Sequence, residues 1–130
     1  MSPTRTSTSL LFAFVFGLSP IGGQPPPKPP VAADPPPEQL AHFENKVRPV
    51  LVEHCYRCHS AEGKKPKGGL RVDGRQFLLD GGDGGPAVVP GDPAKSKLIE
   101  AVRYTNTDLL MPPKGKLPDA AVRDLEVWVK

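Results

Sequence analysis

The sequence predicts a small all-α domain built from three to five short helices. Three segments carry apolar residues at helical intervals, and stretches rich in glycine and proline separate them. The 18 prolines and 13 glycines among 130 residues argue against a strand-rich sandwich. Only 6% of the residues are aromatic, so a core of side chains alone would be thin. A domain of this size usually needs a disulfide, a metal or a cofactor for stability.

Residues 1–23 have the pattern of a signal peptide. Arg5 precedes the apolar run Leu10 to Leu18, and the small residues after it predict cleavage after Gly23. A run of 9 residues is too short to span a bilayer core of about 30 Å, although an uncleaved membrane anchor stays open as the alternative. We therefore expect an exported protein, periplasmic or beyond, without stable membrane insertion after cleavage.

Residues 24–37 read "QPPPKPPVAADPPP" and predict a proline-rich linker. This composition is typical of an extended spacer or of a ligand for a proline-recognising domain. Residues 38–130 then form one folded domain. The chain has a formal net charge of +3 and no dense basic stretch, which argues against a nucleic-acid partner.

The first predicted helix runs through "EQLAHFENKVRPVLVEHCYRCHS", where apolar residues recur on one face. Pro49 lacks an amide donor, so we expect a kink or a fresh helix start at Arg48–Pro49. The next segment is loop-like. Within it we expect a short extended piece at Leu70–Val72 and a short helix over Gly74–Leu79, capped by Asp73.

Two further helices close the domain. Asp92 followed by Pro93 predicts a capped start for a helix that runs to about Arg103. Segment 119–130 predicts the last helix, with Asp119 near the positive end of its dipole. Each of these helices has one apolar face, formed by Leu98, Ile99 and Val102 in the first and by Val122, Leu125 and Trp128 in the second.

Both cysteines of the chain lie within "CYRCH". Cys55, Cys58 and His59 match C-x-x-C-H, the attachment motif of c-type haem. Positions three apart share one face of a helix, so both thiols can add to vinyl groups along one side of a porphyrin. His59 then binds the iron as its proximal ligand. The motif predicts one covalently attached haem c.

Other uses of the two cysteines explain less. A Cys55–Cys58 disulfide would close a very small loop, stabilise the fold little and leave His59 without a role. A thioredoxin-like pair needs a βαβ setting, which the sequence does not predict. Zinc needs a fourth ligand, for which His54 and His42 are the nearby candidates. We expect both of these histidines to be ordinary helix residues, with His54 facing away from the cysteines. "GGDGG" lacks the ending of a phosphate-binding loop.

Met111 is the predicted ligand on the other face of the iron. After signal removal it is the only methionine left, and Pro112 and Pro113 follow it. Two prolines stiffen the chain, so the thioether can be presented with little loss of entropy. A lone methionine is more often core filler, but C-x-x-C-H upstream favours ligation.

Three segments resemble the planctomycete-type cytochrome c domain, a branch of class I cytochromes c: "VRPVLVEHCYRCHS", "KGGLRVDGRQFLLDGGDGGPAVVPGDPAKSKLIEAV" and "LLMPPKGKLPDAAVRDLEVWV". The resemblance implies a small all-α cytochrome c-like fold around one covalent haem. It also implies thioethers at Cys55 and Cys58, with His59 as proximal and Met111 as distal ligand. Trp128 matches an aromatic position in the C-terminal helix that packs near the haem-binding helix. Members of this family usually continue into large C-terminal domains, so this chain is either complete or a piece of a larger protein.

A histidine and a thioether on opposite faces leave the iron no open position for substrate. We therefore expect a carrier of single electrons between redox partner proteins, not an enzyme, either alone or as the electron-transfer module of a larger protein. The alternatives are a haem-based ligand sensor or peroxidase-like site with a labile Met111, and a haem-free interaction module. Loop lysines are candidates for steering an acidic partner, namely Lys64, Lys65, Lys67, Lys114 and Lys116.

Overall fold

The computed structural model describes residues 35–62 and 65–130, and these are helical with no β-strand among them. The predicted signal peptide, most of the predicted linker, and Lys64 lie outside the described residues. The first helix begins at Pro37, one residue before the predicted domain boundary. None of the helices in the described ranges is long and apolar enough to cross a membrane.

The helical segments are short and joined by irregular loops. In chain order they are α1 (Pro37–His42), a π-helical turn (Phe43–Val47), α2 (Arg48–His54), α3 (Tyr56–His59), a 3-10 turn (Lys67–Gly69), α4 (Arg75–Asp80), a second 3-10 turn (Pro93–Lys95), α5 (Lys97–Arg103) and α6 (Asp119–Val129). Residues 37–54 are helical without interruption. Counted as one, they bring the described part to five helices, which confirms the predicted fold class.

The first helix changes its hydrogen-bond pattern where Pro49 enters. The π-helical turn ends at Val47, and α2 begins at Arg48 with Pro49 in its first turn. A proline there has no amide to donate, and the first turn of a helix needs none. Instead of the predicted kink or fresh start, the hydrogen bonding changes from π-helical to α-helical at Arg48 while the backbone stays helical.

The middle of the chain differs from expectation in two ways. Helix α4 begins one residue late, with Gly74 at the N-cap position and no side-chain cap. The expected capping role of Asp73 is therefore wrong, because its carboxylate is engaged elsewhere. Leu70 has extended backbone angles, φ −86° and ψ 131°, but the Leu70–Val72 piece belongs to no strand.

The predicted cap at Asp92 is confirmed, since its Oδ1 accepts from the Lys95 amide at 3.1 Å. The helix it starts is interrupted, however, at the buried Ser96. The Ser96 hydroxyl accepts from the Val89 amide at 2.9 Å and donates to the Asp92 carbonyl at 2.9 Å. These bonds satisfy Ser96 outside a helix, so a 3-10 turn and α5 replace one continuous helix.

The core lies where α5 and α6 meet the first helix. The apolar faces predicted for α5 and α6 point inward, although Trp128 is only partly buried. Trp128 packs on Phe43, with ring centroids 5.5 Å apart, and His42 Nε2 hydrogen-bonds the Asp124 carbonyl at 2.9 Å. The buried apolar side chains are Val47, Leu51, Val72, Leu78, Ala87, Val88, Leu98, Ile99, Ala101, Val102, Leu117, Val122, Leu125 and Val129.

Candidate functional site

A cleft of about 190 Å³ lies between the junction of α2 with α3 and the loop after α5. It brings together all four residues predicted to bind haem. The cleft is lined by His54, Cys55, Cys58, His59, Lys67, Met111, Pro112 and Pro113. Pockets for small-molecule cofactors usually measure about 300–1,000 Å³, so this cleft can only partly enclose a group as large as a porphyrin.

Cys55 and Cys58 lie at the ends of a single helical turn. The helix breaks at Cys55, where φ is −120° and ψ is −40°. The Cys55 carbonyl accepts from the amides of Cys58 at 3.1 Å and His59 at 3.0 Å. Cys55 and Cys58 are not joined by a disulfide. The chain thus presents two thiols and an imidazole from five consecutive residues along one wall of the cleft.

The Cys55 thiol is held in its neutral form. Burial, and next the neighbouring Cys58, raise the pKa of Cys55 to about 11. Burial therefore favours the thiol over the thiolate, the species that binds metals, and a metal ion would have to displace this proton. Among residues 35–62 and 65–130, no group of three or more His, Cys, Asp and Glu side chains is placed to hold a metal ion.

The His59 ring is oriented by a backbone carbonyl. His59 Nδ1 lies 3.2 Å from the Leu70 oxygen. A carbonyl can only accept, so Nδ1 must carry the hydrogen, which leaves Nε2 with a free lone pair. The Val72 amide also donates to the His59 carbonyl at 2.8 Å. The Leu70–Val72 segment therefore places His59 and favours the neutral tautomer with hydrogen on Nδ1, as hydrogen-bond acceptors do for metal-bound histidines.

Asp73 stabilises the Leu70–Val72 segment and the chain that follows His59. Its Oδ2 accepts from the Ala61 amide at 2.8 Å and from Arg71 Nη2 at 2.9 Å, while Oδ1 accepts from Arg71 Nε at 2.9 Å. These bonds, Arg71 first and Ala61 next, lower the pKa of Asp73 to about 2. The Arg71 guanidinium also lies 3.8 Å from the centroid of the Phe77 ring. Sequence reasoning missed this role, although an Arg-x-Asp pair on an extended segment places both side chains on one face.

Met111 reaches the cleft from the loop between α5 and α6. Its side chain is 37% exposed, and its amide donates to the Ala101 carbonyl near the end of α5 at 3.2 Å. The hydroxyl of Tyr104, the residue at the C-cap of α5, donates to the Pro112 carbonyl. The loop that carries Met111 is therefore tied to α5 on both sides of the methionine.

The expectation that His54 faces away from the cysteines is wrong, because His54 lines the cleft. The one-residue step round a regular helix does not apply where the helix breaks at Cys55. His54 lies 3.8 Å from Glu53. Of the predicted lysines, Lys67 lines the cleft and Lys116 pairs with Asp119 at 2.9 Å.

In a comparison with known protein families, residues 55–115 match the family described as planctomycete cytochrome C. The match begins at Cys55 and includes both cysteines, His59 and Met111. It confirms the resemblance seen in the sequence. No curated protein and no solved structure matches the chain.

Proposed function

We propose that this chain is an exported c-type cytochrome that carries single electrons through one haem, because residues 55–115 match the family described as planctomycete cytochrome C. Membership in a cytochrome c family implies haem c as cofactor and electron transfer as activity. The single haem, the ligand pair and export are the parts we add. They are supported by one C-x-x-C-H motif, one further methionine at the cleft and a signal-like N-terminus.

The donor set of the cleft fits a c-type haem. Cys55 and Cys58 provide two thiols within one helical turn for thioether bonds, His59 provides an imidazole, and Met111 provides a thioether sulfur. Haem c bound there supplies an iron centre that gains and loses one electron. A thioether is a weakly donating ligand that favours the reduced state and so raises the potential.

The observation that carries this proposal is the His59 Nδ1 contact with the Leu70 carbonyl at 3.2 Å. It leaves Nε2 available as a ligand and holds the ring in one orientation. A fixed ligand suits electron transfer, in which the site should change little between oxidised and reduced states. With His59 and Met111 both bound, the site keeps no open position for substrate, so we propose a carrier and not an enzyme.

The test uses the full chain, produced in cells that mature c-type cytochromes. A pyridine haemochrome spectrum should report one covalently attached haem, and the oxidised protein should show the far-red charge-transfer band of iron–sulfur ligation. Met111→Ala should keep the haem, lose this band and bind carbon monoxide when reduced. Val127→Ala is the matched control, because Val127 is a 63% exposed apolar side chain on α6 that does not line the cleft. A colourless wild-type protein would refute the proposal.

A ligand sensor or peroxidase-like site is the second candidate. The position of Met111 in a loop favours it, because a ligand carried by a loop can leave the iron more easily than one fixed in a helix. Wild-type protein that binds carbon monoxide readily, without the far-red band, would support this function over electron transfer.

Redox partner proteins are the proposed partners, and Lys67, which lines the cleft, is placed to steer an acidic one. Export would place this exchange in the periplasm or outside the cell. Raising the ionic strength should then slow the reaction with an acidic partner, because salt screens charges on the surface.

A further inference from the structure

Helix α5 ends in an unusual way. Tyr104, its C-cap residue, has φ 61° and ψ 30°, and it is the one residue other than glycine with positive φ in the described ranges. This left-handed conformation normally belongs to glycine or asparagine at the end of a helix. A tyrosine there is unfavourable for the backbone, so its side chain should have a role that glycine could not fill.

The hydroxyl of Tyr104 supplies that role. It donates to the carbonyl of Pro112, the residue directly after Met111. Within the described structure this is the one side-chain hydrogen bond recorded to Met111, Pro112 or Pro113. Two backbone bonds also restrain this segment: the Met111 amide donates to the Ala101 carbonyl at 3.2 Å, and the Gly115 amide donates to the Pro112 carbonyl at 3.3 Å. The left-handed turn at Tyr104 and its side chain thus connect the end of α5 to Pro112, on the C-terminal side of Met111.

The two walls of the cleft are held differently. His59 is fixed by Leu70 and Val72, with Asp73 anchoring the adjacent chain at Ala61. Met111 lies in a loop that two hydrogen bonds tie to α5, one from the Met111 amide to Ala101 and one from Tyr104 to the Pro112 carbonyl. The distal side is therefore where the loss of one bond should change the ligand equilibrium.

We propose that Tyr104 is a positioning residue for Met111, whose hydroxyl holds the Pro112 carbonyl and so keeps the methionine sulfur directed at the cleft. This inference rests on the proposed function, in which Met111 is the distal ligand. Tyr104 touches neither the sulfur nor the iron in this role. It acts only through the backbone that carries Met111.

Tyr104→Phe tests the inference in the full, haem-loaded chain, because it removes the hydroxyl and keeps the ring. Tyr56→Phe, on α3, is the matched control, since Tyr56 does not line the cleft. We expect Tyr104→Phe to keep its haem content. The population with Met111 dissociated should rise about fivefold, the change expected from one neutral hydrogen bond. The far-red band should weaken, carbon monoxide should bind the reduced protein faster by a similar factor, and the potential should fall.

A merely structural role would lower the melting temperature while leaving the far-red band and the carbon monoxide rate unchanged, and that result overturns the inference. If Tyr104→Phe accumulates poorly, Tyr104→Asn replaces it, because asparagine adopts the left-handed conformation readily but cannot reach Pro112 as tyrosine does. Tyr104→Asn is expected to raise the population with Met111 dissociated in the same way. A wild-type protein without the band overturns the Met111 assignment and this inference together. A wild-type protein with the band and an unaffected variant overturns this inference alone.

Discussion

Replacing Asp73 by asparagine should lower the free energy of unfolding by more than most substitutions of a single polar side chain do. The carboxylate accepts three hydrogen bonds, two from Arg71 at 2.9 Å and one from the Ala61 amide at 2.8 Å. An asparagine keeps one acceptor oxygen and turns an NH₂ group towards donors. At least one bond and the whole charge pairing are therefore lost.

The size of the effect follows from the pKa of Asp73, which falls from 3.8 to about 2 on folding, through Arg71 first and Ala61 next. A fall of that size corresponds to about 2.5 kcal/mol at neutral pH. The side chain is 15% exposed, and water screens part of the interaction, so we expect a loss of about 1.5–2 kcal/mol. In a domain of this size the melting temperature should drop by about 10 °C.

The pH dependence makes this prediction specific. A carboxylate whose pKa is lowered by folding stabilises the native state fully above its unfolded pKa, and the effect disappears as pH falls towards the folded pKa. The difference between wild type and Asp73→Asn should be constant above about pH 5, shrink below about pH 4 and disappear only below about pH 2. Denaturant unfolding of the haem-loaded proteins across this range measures it.

Asp80→Asn is the matched control, since Asp80 is exposed and accepts one bond from Gln76. It should change stability by less than about 0.5 kcal/mol. The reasoning is refuted if Asp73→Asn behaves like Asp80→Asn, or if its deficit persists unchanged at pH 2.

Three further outcomes are expected. Gly82→Ala should lower the free energy of unfolding, measured with denaturant, by about 2–3 kcal/mol, because the added Cβ would lie 2.2 Å from the Gly68 backbone oxygen. Gly84→Ala, whose Cβ would meet only the flexible end of a lysine, should lose less than about 1 kcal/mol; equal losses would contradict the steric explanation. Ile99→Ala should lower the free energy of unfolding by about 3–4 kcal/mol, since Ile99 is 0% exposed in the core. A loss below about 1 kcal/mol would show that neighbouring side chains fill the space left by Ile99. The double change of Cys55 and Cys58 to alanine should give a chain without cooperative unfolding by circular dichroism, and a sharp transition would show that the fold does not depend on the haem.

Local signals in the sequence predicted several elements well. Asp92 caps a helical turn, and Pro49 lies in the first turn of α2. Leu98 and Ile99 lie in the core. Each depends on residues within about four positions of one another, where hydrogen bonding and side-chain spacing decide the outcome. The failures involve competition from distant groups. Asp73 could have capped α4, but the Ala61 amide and Arg71 engage its carboxylate instead.

The chemistry on one wall of the cleft follows from the amino-acid order, because Cys55, Cys58 and His59 are close enough along the chain for one helical turn to align them. The apolar faces of the helices follow from it too, since they repeat over short intervals. Folding of the whole domain is needed to explain why the Leu70 carbonyl orients His59, why His54 lines the cleft, and why the loop after Tyr104 carries Met111 to the same cleft. Those arrangements depend on contacts between residues far apart in the chain, and such contacts form only when the core brings separate segments together.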